Sequence, residues 1–152
     1  MRLQTAPYSY RDDPSVPDFP DIGPCTVMDA HCAVCAKGAA WIARNDAKGE
    51  FRIIPLQSAL GNALMLHHGL DPADPSSWLY LEDGHAYSSL DAVIRVGQRL
   101  GGIWKGFGLM RVMPVALQDW LYTRVARNRY RIAGKTDMCT MPDSAVQKRL
   151  LT

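Results

Sequence analysis

The sequence predicts an α/β protein in which a four-stranded mixed sheet carries helices on both faces. Two observations lead to this fold class: short β-prone segments alternate with segments of helical spacing over residues 25–100, and an Asp-Gly pair between two β-prone segments indicates a hairpin. At 152 residues, the chain is long enough for one domain with a buried core. Its 21% of charged residues and net charge of +2 do not by themselves indicate a polyanionic partner.

The first 23 residues are predicted to form an extended arm that is mobile unless it packs on the domain. Pro7, Pro14, Pro17 and Pro20 lie there among Asp, Ser and Tyr residues without periodicity. No apolar stretch of the signal-peptide kind follows Met1, and no segment approaches the ~20 apolar residues of a membrane span. We therefore expect a cytoplasmic protein with no membrane span.

The next segments predict a strand, a helix and a second strand. The β-prone run 25–28 is typical of a short buried strand. A helix is predicted over 32–45, where apolar residues recur on one face. The second strand is predicted over 51–56 and contains Pro55 near its end.

A second helix and a hairpin follow. Ser58 is expected to cap a helix over 59–68, and Gly69 to end it. Strands are predicted over 78–81 and 85–87 on either side of the Asp-Gly turn. This turn makes the last strand pair antiparallel, whereas the helical crossover makes the first pair parallel.

A third helix completes a core that we place at residues 24–102. It is predicted over 90–100 with Ser89 as its cap, and two glycines end it. The element order β-α-β-α-β-β-α is the thioredoxin-like layout. In that layout the carboxyl end of the first strand is a common place for a functional site.

Residues 103–152 are predicted to form a helical extension packed on this core. Ile103, Phe107 and Met110 share one face, and Pro114 opens a further helix that runs through Ala126. The remaining tail is polar, and it contains one cysteine.

The clearest chemical signal is the pair Cys32 and Cys35 at the predicted junction of the first strand and helix. Their spacing lets the two sulfurs meet on the first helical turn, where free N–H groups and the helix dipole favour a thiolate at Cys32. We predict that Cys32 attacks a substrate disulfide and that Cys35 resolves the mixed disulfide.

Two residues before this pair have alternative interpretations. Asp29 could accept and return the proton of Cys35, provided that burial raises its pKa, or it could satisfy free N–H groups at the helix start. Both roles can hold at once. For His31 we favour an exposed turn position over a role in activating Cys32.

A CxxC pair is also half of a zinc site, or simply two packed cysteines. A zinc site would need two further ligands. The pattern of these residues includes no second CxxC and no spaced His pair. The candidates are Cys25, Cys139, His31, His67, His68 and His85. We therefore expect no metal and no cofactor. Cys25 is interpreted as a small core residue, whereas Cys139 could be a third redox thiol or a buried one.

Two C-terminal segments could bind macromolecules. In the first, tyrosines are interleaved with basic residues. We favour a solvated helix end over nucleic-acid binding for this segment. Its residues are Tyr122, Arg124, Arg127, Arg129, Tyr130, Arg131 and Lys135. The second, residues 101–117, could lie on a membrane surface or bind a partner helix, but we favour packing over the sheet.

The chain resembles the DCC family of thiol-disulfide oxidoreductases. The D-x-x-C-x-x-C signature of that family falls on Asp29, Cys32 and Cys35. Further similar segments lie at residues 55–58, 82–84, 89–91, 125–131 and 137–142. The resemblance spans roughly residues 25–143, and it implies a thioredoxin-like fold and disulfide-exchange activity.

The chain departs from related patterns at two places. Family members commonly have Gly after the signature Asp, where this chain has Ala30. Thioredoxins place a cis-proline before the third strand, and counting back from Gly84 puts that position at Ser76, with Pro75 one residue earlier.

The function predicted from the sequence is thiol-disulfide exchange. Its partners would be a disulfide-containing protein or small thiol substrate and a cellular thiol reductant. The alternative is a non-catalytic, zinc-stabilised or protein-interaction module on the same scaffold.

Overall fold

A computed structural model describes residues 3, 5–74, 78–138 and 143–151. Two 3₁₀ helices lie at Ser9–Asp12 and Gly102–Val112. The strands and α-helices follow in the order β1 (Cys25–Met28), α1 (Ala33–Asn45), β2 (Arg52–Pro55), α2 (Ala59–His67), β3 (Leu79–Glu82), β4 (His85–Tyr87), α3 (Ser89–Leu100), α4 (Val115–Ala133) and α5 (Ser144–Gln147).

The four strands form one mixed sheet in the order β2-β1-β3-β4. At the centre of the sheet, Val27 lies opposite Ile54 in the parallel β1–β2 pair and opposite Leu79 in the antiparallel β1–β3 pair. The β3–β4 hairpin is antiparallel. The predicted strand directions are confirmed, and the architecture is thioredoxin-like.

Each face of the sheet carries its own core, because successive side chains of a strand point to opposite faces. Ile53 and Tyr80 belong to the core beneath α1 and α3. Their neighbours Ile54 and Leu79 belong to the core beneath α2, which the N-terminal arm joins through Tyr10. The prediction of helices on both faces is therefore confirmed.

Contacts with both the hairpin and α2 hold the N-terminal arm. The backbone N–H of Tyr8 donates to the carbonyl of Gly84 at 3.0 Å. Ser9 Oγ lies 2.8 Å from His67 Nε2, and His67 Nδ1 lies 2.5 Å from a carboxylate oxygen of Asp13. Short polar side chains of the arm thus bind the end of α2.

Three predicted helix features are wrong in detail. The N-cap of α3 is Ser88, so Ser89 is the first helical residue. The segment after Gly101 is a 3₁₀ helix with no buried residue, a tighter coil than the predicted α-helix. Finally, α4 continues past Ala126, because nothing in its arginine-rich end interrupts a helix before Gly134, whose φ of +77° ends it.

No α-helix within the described ranges combines the length and apolar character needed to cross a membrane.

Candidate functional site

Cys32 and Cys35 lie where β1 passes into α1. Cys32 is the N-cap residue of α1, and its carbonyl accepts the first helical hydrogen bond from Ala36 at 2.9 Å. Cys35 follows in the first turn, so the two cysteines lie 3.7 Å apart. Both are free thiols, and this proximity is what the CxxC spacing predicted.

The thiol of Cys35 lies in an apolar but cationic environment. Its residue is 9% exposed, and this burial raises its pKa to about 12. The charge of Arg129 opposes that increase, and Nη1 of Arg129 donates a hydrogen bond to Sγ at 3.2 Å. The adjacent Cys32 raises the pKa of Cys35 further through its electrostatic and hydrogen-bond interaction. Burial thus favours the protonated form of the Cys35 thiol.

Arg129 is buried between the pair and Asp29, contrary to the predicted solvated helix end. Only 6% of the residue is exposed. Its Nη2 donates to Oδ2 of Asp29 at 2.7 Å, while Nη1 reaches Cys35. A planar guanidinium has five N–H donors in fixed directions, so it can bind both partners at once.

Asp29 accepts four hydrogen bonds at the end of β1. The backbone N–H of His31 and Nε2 of Gln57 donate to Oδ1 at 2.9 and 2.8 Å, and Arg129 and the Tyr130 hydroxyl donate to Oδ2. Burial alone would raise the pKa of Asp29, but these bonds and the charge of Arg129 together lower it. The proton-acceptor hypothesis needs a raised pKa, whereas the arrangement fits an anchor for Arg129 and for the start of α1.

The chain that follows α4 covers Cys32. We call residues 134–138 the covering segment. Lys135 forms an isolated antiparallel bridge with Cys32, and the backbone N–H of Thr136 donates to the His31 carbonyl at 3.1 Å. Cys32 is 0% exposed beneath this segment.

His31 and Cys25 are further candidates within the described residues. His31 is exposed, as predicted for a turn residue. Cys25 is buried in the core on the opposite face, where burial raises its pKa to about 12, so its interpretation as a core residue is confirmed. Cys139, Pro75 and Ser76 lie outside the described residues.

Within the part of the chain that the structure describes, no three His, Cys, Asp or Glu side chains gather where they could hold a metal ion. The pair therefore has no further zinc ligand among these residues.

Sequence reasoning missed the roles of Gln57, Arg129 and Tyr130. They follow Asp29 by 28, 100 and 101 positions, and no spacing rule links residues so far apart. The one available signal was the family resemblance, since two of the similar segments, 55–58 and 125–131, contain all three.

Comparisons with known proteins agree with this geometry. The chain is 32% identical over 125 residues to the uncharacterized protein YuxK of Bacillus subtilis strain 168, covering 82% of this chain and 91% of the relative. It is 29% identical over 122 residues to a chloroplastic DCC family protein of Arabidopsis thaliana, covering 80% of this chain and 71% of that protein. No solved structure gives a significant match.

The matched family is described as DCC1-like thiol-disulfide oxidoreductase, and the match covers residues 26–135. This range includes all of β1 except Cys25, the cysteine pair and α4 with Arg129. The chain therefore belongs to the DCC1-like thiol-disulfide oxidoreductase family.

Proposed function

We propose that this protein exchanges thiols and disulfides through Cys32 and Cys35, with Cys32 as the attacking thiol and Cys35 as the resolving one. The observation that carries the proposal is the separation of 3.7 Å between the two cysteines at the start of α1. Family membership supports the reaction class. The N-cap position of Cys32 supports the order of attack, because the free N–H groups and the dipole at a helix start favour a thiolate there.

The first step forms a mixed disulfide. The thiolate of Cys32 attacks one sulfur of the substrate disulfide, the substrate S–S bond breaks, and the other half leaves as a thiolate that takes up a proton. The free N–H groups at the start of α1 favour negative charge on Cys32.

The second step releases the product. Cys35 loses its proton and attacks the sulfur of Cys32, the second half of the substrate leaves, and the pair ends as a disulfide. Two electrons have then passed from the pair to the substrate. Since burial keeps Cys35 protonated, the charge of Arg129 beside its sulfur is what favours the thiolate needed here.

Asp29 acts in this proposal as the anchor of Arg129, through the bond between Nη2 and Oδ2. The proton of Cys35 passes to the leaving thiolate or to water, because the carboxylate of Asp29 has a lowered pKa and four donors already.

The substrate would be a protein or small-molecule disulfide, and a cellular thiol would reduce the pair for the next cycle. The reaction needs no cofactor, since the electrons come from the two thiols. The expected cytoplasmic location stays a prediction, and the Arabidopsis relative is named as chloroplastic.

The test uses the reduced protein and hydroxyethyl disulfide in a single turnover. The parent should release two thiols per protein, whereas Cys35→Ser should release one and keep a mixed disulfide on Cys32, visible by mass spectrometry. Cys25→Ser is the matched control, because Cys25 lies in the opposite core and should not affect the reaction. Turnover by Cys32→Ser at the rate of the parent would refute the assignment.

A further inference from the structure

A cavity of about 200 Å³ lies directly beside the cysteine pair. It lies between α1, α3 and α4 and is partly open to solvent, and Cys35 and Arg129 form part of its wall. The rest of the wall is almost entirely aliphatic and aromatic, with Trp41, Trp78 and Tyr122 as its largest members. A well-packed interior leaves few spaces larger than a water molecule, so a space of this size beside a reactive pair needs an explanation.

The size and chemistry of the cavity define what fits. An engineered apolar cavity of about 150 Å³ in another protein binds benzene, so a space of about 200 Å³ accepts a six-membered ring with one or two further carbons. Charged or strongly hydrated groups would lose their water there with almost no polar partners in return.

Access to the pair also favours this cavity. Cys32 has no exposed surface beneath the covering segment, whereas Cys35 forms part of the cavity wall. The cavity reaches the surface beside Val125, which is 54% exposed. A sulfur that enters here comes to Sγ of Cys35, and Cys32 lies 3.7 Å from Cys35.

A second, independent observation indicates a missing partner at this end of the cavity. Nε of Arg129 is buried and has no hydrogen-bond partner within the described residues. A buried donor without an acceptor costs free energy, and such groups are rare in native structures. A thiolate released beside Cys35 would supply the acceptor that Nε of Arg129 lacks.

We propose that the cavity binds the apolar group of a low-molecular-weight disulfide, about the size of a benzyl group, and so selects apolar over polar disulfides. This inference rests on the proposed exchange reaction. Cys32 forms a bond with the sulfur that bears the apolar group, and the other half leaves as a thiol. Cys35 then attacks Cys32, the apolar thiol is released, and the pair becomes a disulfide.

The test compares two mixed disulfides of glutathione, one with benzyl mercaptan and one with 2-mercaptoethanol, in single turnovers of the reduced protein. Each rate constant is divided by that of dithiothreitol with the same compound, which removes intrinsic reactivity. We expect the benzyl compound to react at least about tenfold faster, in line with the burial of a phenyl-sized group.

Variants that fill the cavity should remove this preference. Ala126→Phe places a ring into the cavity from α4, and Val93→Phe does so from α3 in case the first variant does not fold. The matched control is Ala116→Phe, because Ala116 lies exposed on α4 and does not line the cavity. Both filled variants should reduce the two compounds at similar normalised rates, and the control should keep the preference of the parent.

A redox-inert probe separates the two proposals. Benzyl methyl sulfide should quench the fluorescence of Trp41 and Trp78 and compete with the benzyl compound. If the parent reduces both compounds equally and the probe does not bind, the cavity proposal is overturned while the exchange reaction stands. If neither compound is reduced but the probe binds in the parent and not in Ala126→Phe, the exchange reaction fails and the apolar binding site stands.

Discussion

Nη1 of Arg129 donates a hydrogen bond to the sulfur of Cys35 at 3.2 Å, although the two residues lie 94 positions apart. The contact places a cation beside a thiol that burial would otherwise keep neutral. It joins the CxxC pair at the start of α1 to α4, and several expected behaviours of the protein depend on it.

Cys35 should react as a weakly acidic thiol. In a Cys25→Ser/Cys32→Ser/Cys139→Ser variant, the rate of alkylation by iodoacetamide should rise with pH through a midpoint well above the ordinary value of about 8.5, because burial favours the neutral thiol. Adding Arg129→Gln should slow alkylation further at every pH, since the stabilising cation is lost. A midpoint at or below the ordinary value would contradict this account of the site.

Removing Arg129 should destabilise the fold. Arg129→Met leaves the buried carboxylate of Asp29 without its cation, and we expect the free energy of unfolding in urea to fall by about 3–5 kcal/mol. Asp29→Asn combined with Arg129→Met should cost clearly less than the two single changes together. The control is Arg44→Met, because Arg44 pairs with Asp143 and its side chain is 73% exposed. We expect this change to lower the free energy of unfolding by less than about 0.5 kcal/mol. If the two single losses in the free energy of unfolding add up to the loss in the double variant, the buried pair is not coupled.

The covering segment should control access to Cys32. Thr136→Pro removes the N–H that donates to the His31 carbonyl, and it suits the extended backbone of the preceding Lys135. In a Cys35→Ser background, alkylation of Cys32 should become about 2- to 13-fold faster, as the loss of one hydrogen bond of about 0.5–1.5 kcal/mol predicts. Thr136→Ala retains the N–H and should react like the parent. Equal rates in all three proteins would show that this segment does not limit access.

Stability should fall in mild acid because of His68. Burial, with a smaller effect of His67, lowers the pKa of His68 to about 4, whereas the unfolded chain has a value near 6.5. As pH decreases from about 6.5 to 4, the unfolded state binds the proton first, so the free energy of unfolding should drop by about 1–3 kcal/mol. His68→Asn should remove most of this pH dependence while retaining a polar partner for Thr5. An unchanged slope in that variant would assign the acid sensitivity to other groups.

The sheet and the cysteine pair could be predicted because their signals are local. The Asp83-Gly84 turn, the cap formed by Ser58 and the CxxC spacing each act within a few residues, and all three lie as expected. The surroundings of the pair could not be predicted in this way. Arg129 belongs to a basic run typical of a solvated helix end, and it is buried because α4 packs against α1 and α3 beside Asp29.

The same packing explains why the role of Asp29 could not be settled from the sequence. Burial and hydrogen bonding shift a carboxyl pKa in opposite directions, and the outcome depends on how many donors the fold supplies. Here Gln57 and Tyr130 lie in separate parts of the chain, and their hydrogen bonds, together with that of the His31 N–H and the charge of Arg129, outweigh burial.

Because α4 supplies the guanidinium beside Cys35 and the covering segment that follows it bridges to Cys32, the four-stranded sheet alone does not hold the complete surroundings of the cysteine pair. Grafting only residues 24–102 onto another protein would transfer the two cysteines without the guanidinium of Arg129 and without the segment that covers Cys32. A chimera that exchanges α4 and the residues after it between relatives would instead change the reactivity of the two thiols and leave the sheet intact. This C-terminal part is therefore the part to exchange when thiol reactivity is to be engineered.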